Sequence, residues 1–310
     1  MWKYIGKRIL QMIPILIVVS FVVFWLMSLS GDPAATIMGD VATAEQIEAK
    51  REAMGLNRPL IVRYGEYMWN LLHGDFGKSL GGLDVWEQFS TRFPFTLMLC
   101  AGSIILTVII SIPAGITAAL NKGRWTDSII SAGAMLGVSL PPFWLGMLMI
   151  LLFGVKLGWF PTSGIQGGVF RSLVLPSVTS AITALASMTR QTRSSMLDNL
   201  GADFLRTARA KGVKENTVVW THALKNALLP IITAIGGQFN VLIGGAVTLE
   251  IVFSWPGIGN MIITAVRCSD YMLVTGSVIM VTVACAIGNL LVDIAYAFAD
   301  PRIKAQYAGK

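Results

Sequence analysis

Charge is what this chain has least of. Only 13% of its 310 residues are Asp, Glu, Lys or Arg, against 54% hydrophobic and a mean hydropathy of +0.66. An average soluble domain carries roughly 25% charged residues. Too few charges remain to cover a water-facing surface, so the apolar residues are expected in runs long enough to cross a bilayer. Histidine and cysteine are scarce too. His73, His222, Cys100, Cys268 and Cys285 show no C-x-x-C or Cys/His spacing, which argues against a disulfide framework and a zinc site. No H-E-x-x-H, G-x-S-x-G or G-x-x-x-x-G-K-[ST] is present, so metalloprotease, serine hydrolase and self-contained ATPase readings lack their motifs. In Gly74-Asp75-Phe76-Gly77-Lys78-Ser79 the glycines stand three apart instead of five, and a surface turn is expected. No catalytic residue, metal ligand or cofactor is predicted in this chain. The net charge of +7 falls in short clusters between apolar runs, a pattern of membrane orientation and not of nucleic-acid binding.

What is present is a series of uncharged runs, at 9–29, 95–120, 128–155, 172–189, 226–249 and 271–292. The first has 21 residues, longer than a typical signal-peptide core, and reads as a retained transmembrane helix. Pro113 and Gly115 are expected to bend the second run, and Pro141-Pro142 to break or kink the third. The fourth is rich in Ser, Thr and Ala, which favours tight helix contacts. The fifth holds Pro230, Gly236, Gly237, Gly244 and Gly245. With Pro141 and Pro142 these are the hinge or pathway candidates. No charge falls inside the runs; Glu250 and Asp293 lie at run ends, where an interfacial charge is expected. The apolar stretch 257–266 is too short to span and reads as a re-entrant or outer-surface helix.

Six spans place both termini on one side. Segments 1–8, 121–127, 190–225 and 301–310 carry 15 of the 24 Lys and Arg, and the short loops opposite carry 3, so both termini are expected in the cytoplasm. Residues 31–94 then form a small outer segment with six basic and nine acidic residues. Helices are expected there over 44–54, ending at Gly55, and over 60–72, the latter interfacial with Tyr64, Tyr67 and Trp69. Three parts follow: an N-terminal tail and first helix (1–30), the outer segment (31–94), and a five-helix core (95–310) with a cytoplasmic loop at 190–225.

That loop is the longest polar, basic interruption among the later spans. Asp203 suits an N-cap, Arg206, Arg209 and Lys211 suit the C-terminal end of a helix dipole, and Gly212 suits a left-handed stop. A helix of about two turns is expected, with a second starting at Asn216 and running into the fifth span. Positive-inside loops also bind anionic headgroups. A solvated lipid-binding loop would not need Phe204, Leu205 and Ala208, however.

The runs Arg206-Thr207-Ala208-Arg209-Ala210-Lys211-Gly212 and His222-Ala223-Leu224-Lys225-Asn226-Ala227-Leu228-Leu229-Pro230 resemble the cytoplasmic E-A-A-x-x-x-G loop of binding-protein-dependent ABC importer permeases, in the form of the dipeptide, oligopeptide and nickel group. Gly31-Asp32-Pro33, Gly55-Leu56-Asn57-Arg58-Pro59, Gly74-Asp75-Phe76-Gly77, Gly137-Val138-Ser139-Leu140-Pro141, Phe253-Ser254-Trp255-Pro256-Gly257 and Asp300-Pro301-Arg302-Ile303 agree with that group. Arg206 and Thr207 stand where the pattern has Glu and its first Ala, so a Glu-based salt bridge to the ATPase is not carried over.

The resemblance implies an all-α type I importer permease of six transmembrane helices in a bacterial or archaeal inner membrane. It implies that Asp203, Phe204, Leu205, Arg206, Thr207, Ala208, Arg209, Ala210, Lys211 and Gly212 form a coupling helix. The partners implied are two cytoplasmic ATP-binding subunits carrying ATP and Mg, a second homologous permease subunit and an external solute-binding protein, with membrane lipid around them. Trp255, Pro256 and Gly257 are candidates for docking or gating on the outer face. The implied cargo is short peptides or nickel and other metal chelates. A secondary carrier is the competing reading, and it lacks the mid-span charge such carriers use; a structural membrane protein would show no substrate dependence at all.

Overall fold

The computed structural model describes residues 2–39 and 42–299, and among these every regular element is helical apart from an isolated bridge between Lys78 and Asp84. Two compact units result: Trp2–Thr96 with Pro256–Ile287, and Leu97–Trp255 with the residues from Gly288 onward. Among the described residues five helices are long and apolar enough to cross a membrane, or six when one bent pair is taken as a single span.

The first unit begins with α1 (Trp2–Leu29), which contains the expected run at 9–29. α2 (Pro33–Met38) starts where the Asp32 carboxylate accepts the Ala34 N–H at 3.0 Å and Pro33 fills the first helical position. α3 (Ala44–Ala53) opens on a capping box between Thr43 and Gln46 and stops at Gly55, whose φ of +67° ends the helix without a Cβ clash. α4 (Leu60–Leu72) has the expected bounds; one side packs on α1, and Ile61, Trp69 and Leu72 are exposed on the rest. Tyr67 is buried, and the Tyr64 hydroxyl lies 2.8 Å from Ser20 Oγ and 3.2 Å from the Ile17 carbonyl of α1. Phe24 of α1 meets Tyr271 edge-on at 5.0 Å and Tyr64 at 5.6 Å, within the spacing at which aromatic pairs attract.

The second long helix, α5 (Val85–Leu120), starts ten residues ahead of the expected 95–120 run. Asp84 sets this start, because its Oδ1 accepts the N–H groups of Trp86 at 2.8 Å and Glu87 at 3.3 Å. Hydropathy alone sees only the apolar part of a helix that continues beyond it. α12 (Ile258–Arg267) is the short helix expected at 257–266; Ile258 N–H donates to Thr96 Oγ1 at 2.9 Å, and Ile258, Met261 and Ala265 are buried. It leads into α13 (Tyr271–Ala299). The Asp300–Ile303 match and the basic tail lie outside the described residues, as does the Asp293 side chain.

In the second unit the expected third span, 128–155, is two helices: α6 (Trp125–Ser139) and α7 (Pro142–Met149), the latter running into a π-helical turn at Ile150–Lys156. Their axes bend by 98°. Leu140, preceding a proline, is held extended at φ −93°, ψ 130°, and Pro141 and Pro142 bring no N–H to continue the ladder. α8 (Val169–Leu200) runs well past the expected end at 189. Arg190 does not stop it, and Arg193 is absorbed by a fork of two 2.7 Å hydrogen bonds from its Nε and Nη2 to the two carboxylate oxygens of Asp127. Small residues let neighbours close in: a Cβ at Gly115 would lie 2.6 Å from Thr192 Cβ, and one at Gly137 would lie 2.7 Å from the Ile182 carbonyl oxygen.

Candidate coupling surface and hinge positions

After α8 the chain turns at Gly201 into α9 (Asp203–Ala210), the two-turn helix expected from the sequence. Its N-cap is Ala202 and not Asp203; Asp203 sits in the first turn, where its charge still suits the positive end of the helix dipole. Gly212 adopts φ +77° and provides the left-handed stop. The next helix starts at α10 (Glu215–Thr217), passes through a π-helical turn at Val218–Ala223 and continues as α11 (Leu224–Val252).

α9 is held by one side. Leu205 is completely buried in a cluster with Ile116, Met196, Val218, Val219 and Ala223, and Ala208 packs at its edge. Arg209 forks onto Glu215 with bonds of 3.0 and 2.7 Å, tying the helix to the start of α10; this interaction raises the Arg209 pKa above its ordinary value. Phe204 is 43% exposed, and Asp203, Arg206, Thr207 and Ala210 face outward. Arg206 reaches no further than Asp203, at 3.8 Å across one turn. The result is an amphipathic helix whose free face presents an aromatic ring beside a guanidinium.

The hinge candidates separate by environment. Pro141 and Pro142 sit at the 98° bend. Pro230 lies inside α11, and the helix passes through it and through Gly236, Gly237, Gly244 and Gly245 without a break. Gly236 is a packing position: a Cβ there would fall 2.2 Å from Val292 Cγ1. Gly237 and Gly244 meet nothing within 4 Å of an added Cβ.

Trp255 is fully buried, as are the Gly257 backbone and, at 0% exposure, Glu250; Pro256 is half-buried. Of the three docking or gate candidates, Trp255 and Gly257 are thus enclosed by the chain's own residues and Pro256 is partly open. Glu250 is likewise no interfacial charge. The sequence reading missed the Asp127–Arg193 pair, because the two residues lie 66 positions apart and each looks like an ordinary loop or helix-end charge.

Two family models match the chain. Residues 111–305 match the binding-protein-dependent transport system inner membrane component, and residues 1–100 match the N-terminal membrane component of the same systems. The chain belongs to this family. It is a permease subunit of an ABC importer, placed in the bacterial inner membrane. It is 40% identical over 306 residues to the glutathione transport system permease protein GsiC of Escherichia coli K12, covering 98% of this chain and 99% of that one. A protein of Brucella abortus strain 2308 named for a peptide transport system permease is 39% identical over 312 residues, with 98% and 99% covered. The fold is shared with inward-facing crystal structures of the MetNI methionine ABC transporter. In one form the TM-score is 0.55 at 17% identity, with 76% of this permease and 98% of that chain covered; in another it is 0.59 at 16%, with 69% and 96% covered.

Proposed function

We propose that this permease carries short peptides inward and is driven through α9. A cytoplasmic ATP-binding subunit receives the free face of α9 in a groove, with Phe204 as the apolar anchor and Arg206 beside it. The observation that carries this reading is the division of α9 into a buried Leu205 side and an open Phe204 side. A helix fixed to its own core on one side and unpartnered on the other can be pushed as a rigid body. When two ATP-binding subunits close, α9 moves α8 and α11 with it, and the path changes the side on which it opens. ATP and Mg belong to those subunits, and this chain contributes no catalytic group. Both termini and the 190–225 loop face the cytoplasm, the 31–94 segment faces outward beneath a solute-binding protein, and a second related permease completes the path. The substrate reading is supported by the relatives named for peptide and glutathione transport.

Phe204→Ala in the assembled transporter is the direct test, since the residue is exposed and its loss leaves the cluster around Leu205 intact. Membrane levels of the chain should stay normal, while uptake falls by about tenfold or more, the size expected when an aromatic anchor leaves an interface. Normal uptake by a well-inserted Phe204→Ala, Arg206→Glu protein would sink the assignment. Ala208→Asp is a less clean probe, because Ala208 touches the buried cluster and a carboxylate there disturbs α9 itself.

A further inference from the structure

The first unit encloses a cavity of about 370 Å³ between the 31–94 segment and the start of α13, within the size range of small-molecule sites. Its charges are unevenly engaged. The three carboxylates in the wall are each held: Glu66 pairs with Arg58, Asp75 accepts the Gly77 N–H at 2.9 Å, and Asp270 accepts the N–H groups of Leu80 at 2.9 Å and Leu273 at 3.1 Å. The side chains of the three cations, Lys50, Arg63 and Lys78, make no hydrogen bond or ion pair with the described residues. Arg63 is half-buried and lies 5.8 Å over the rings of both Phe24 and Tyr271, which hold its guanidinium in place while leaving its N–H fork free. Tyr67, also in the wall, is more than nine-tenths buried, and its hydroxyl has no hydrogen-bond partner. Buried polar groups of this kind ordinarily have a partner. Ile37, Met54, Leu56 and Met272 supply apolar surface.

We propose that this cavity is a binding site for a small carboxylate with an apolar body, such as an acylated amino acid or the C-terminal end of a short peptide. Arg63 receives the carboxylate as a bidentate fork, Lys50 and Lys78 add positive potential, and the apolar wall takes the side chain. Anionic selection follows from the engagement of the native carboxylates, which leaves the cationic groups as the available partners. The site uses only the first unit and stands whether or not α9 couples to an ATPase.

The test is equilibrium binding of N-acetyl-phenylalanine and of its amide to the full chain in phosphatidylcholine nanodiscs. The carboxylate is expected to bind saturably and the amide at least tenfold more weakly. Arg63→Gln should weaken the carboxylate by tenfold or more, and Arg63→Lys should restore part of it. Lys78→Gln, an exposed position that leaves the aromatic contacts untouched, should weaken it several-fold even where Arg63→Gln compromises folding. Equal binding of acid and amide, or acid binding indifferent to both Arg63→Gln and Lys78→Gln, overturns the proposal. Phosphatidylglycerol nanodiscs separate the other source of an anionic group. If phosphatidylglycerol blocks the acid and is retained by the chain through Arg63, the site belongs to a lipid headgroup and the proposal fails.

Discussion

α4 and α9 are both short amphipathic helices lying off the spans, yet they are fastened in opposite ways. α4 has 13 residues and is bound by several independent contacts: Tyr64 reaches Ser20 and Ile17 of α1, Tyr67 is buried, and Phe24 lies against both tyrosines. α9 has 8 residues and one fully buried side chain, Leu205. Redundant attachment makes α4 part of a wall, and the cavity beside it depends on that rigidity. With Leu205 as its one fully buried side chain and the exposed Arg209–Glu215 fork beside it, α9 keeps most of its surface open. Fixing a helix at many points spends its faces on the protein itself, whereas few internal contacts leave those faces open.

The sharpest way to break this comparison is Leu205→Ala. Truncating a buried leucine costs about 2–5 kcal/mol, and here α9 has no second anchor of that size. Amide exchange over 203–210 should rise by about two orders of magnitude or more, while 60–72 stays protected; equal protection of α9 before and after would show that its attachment is not single. Tyr64→Phe should act more mildly on α4. It removes a partly buried hydroxyl contact of about 0.5–1.5 kcal/mol but leaves the ring against Phe21 and Phe24, so exchange over 60–72 should rise by roughly tenfold or less. A Tyr64→Phe effect as large as that of Leu205→Ala would remove the distinction. The smallest effect belongs to Arg209→Gln. The Arg209–Glu215 pair is solvent-screened, and its loss should alter exchange over 203–210 by about twofold or less in moderate salt. A large effect there would make the ion pair, and not Leu205, the fastening of α9.

Much of this was legible in the residue order. The start of α3 at Ala44, both ends of α4, the left-handed stop at Gly212 and the break at Pro141-Pro142 follow from caps, glycine φ and missing proline N–H groups, all of which act within a few residues. The early start of α5 was written there too, in Asp84, but hydropathy hides a cap that precedes a polar helical turn. The Asp127–Arg193 fork was not legible, since it depends on which faces of α6 and α8 meet. Nor was the burial of Trp255 and Glu250, which is set by neighbours distant in sequence.

The sequence by itself determined that the chain lives in a membrane, how many apolar runs it has, and where the glycine stops at Gly55 and Gly212 and the break at Pro141-Pro142 lie. Those properties are sums over near neighbours. Only the tertiary structure decided that the third run turns through 98°, that Gly236 is a packing contact while Gly237 is open, and that Leu205 faces inward while Phe204 faces out. It also decided that Arg63, Lys50 and Lys78 share one cavity whose carboxylates are already engaged. Each of these is a property of juxtaposed surfaces, and no single segment of the chain contains both sides of the contact.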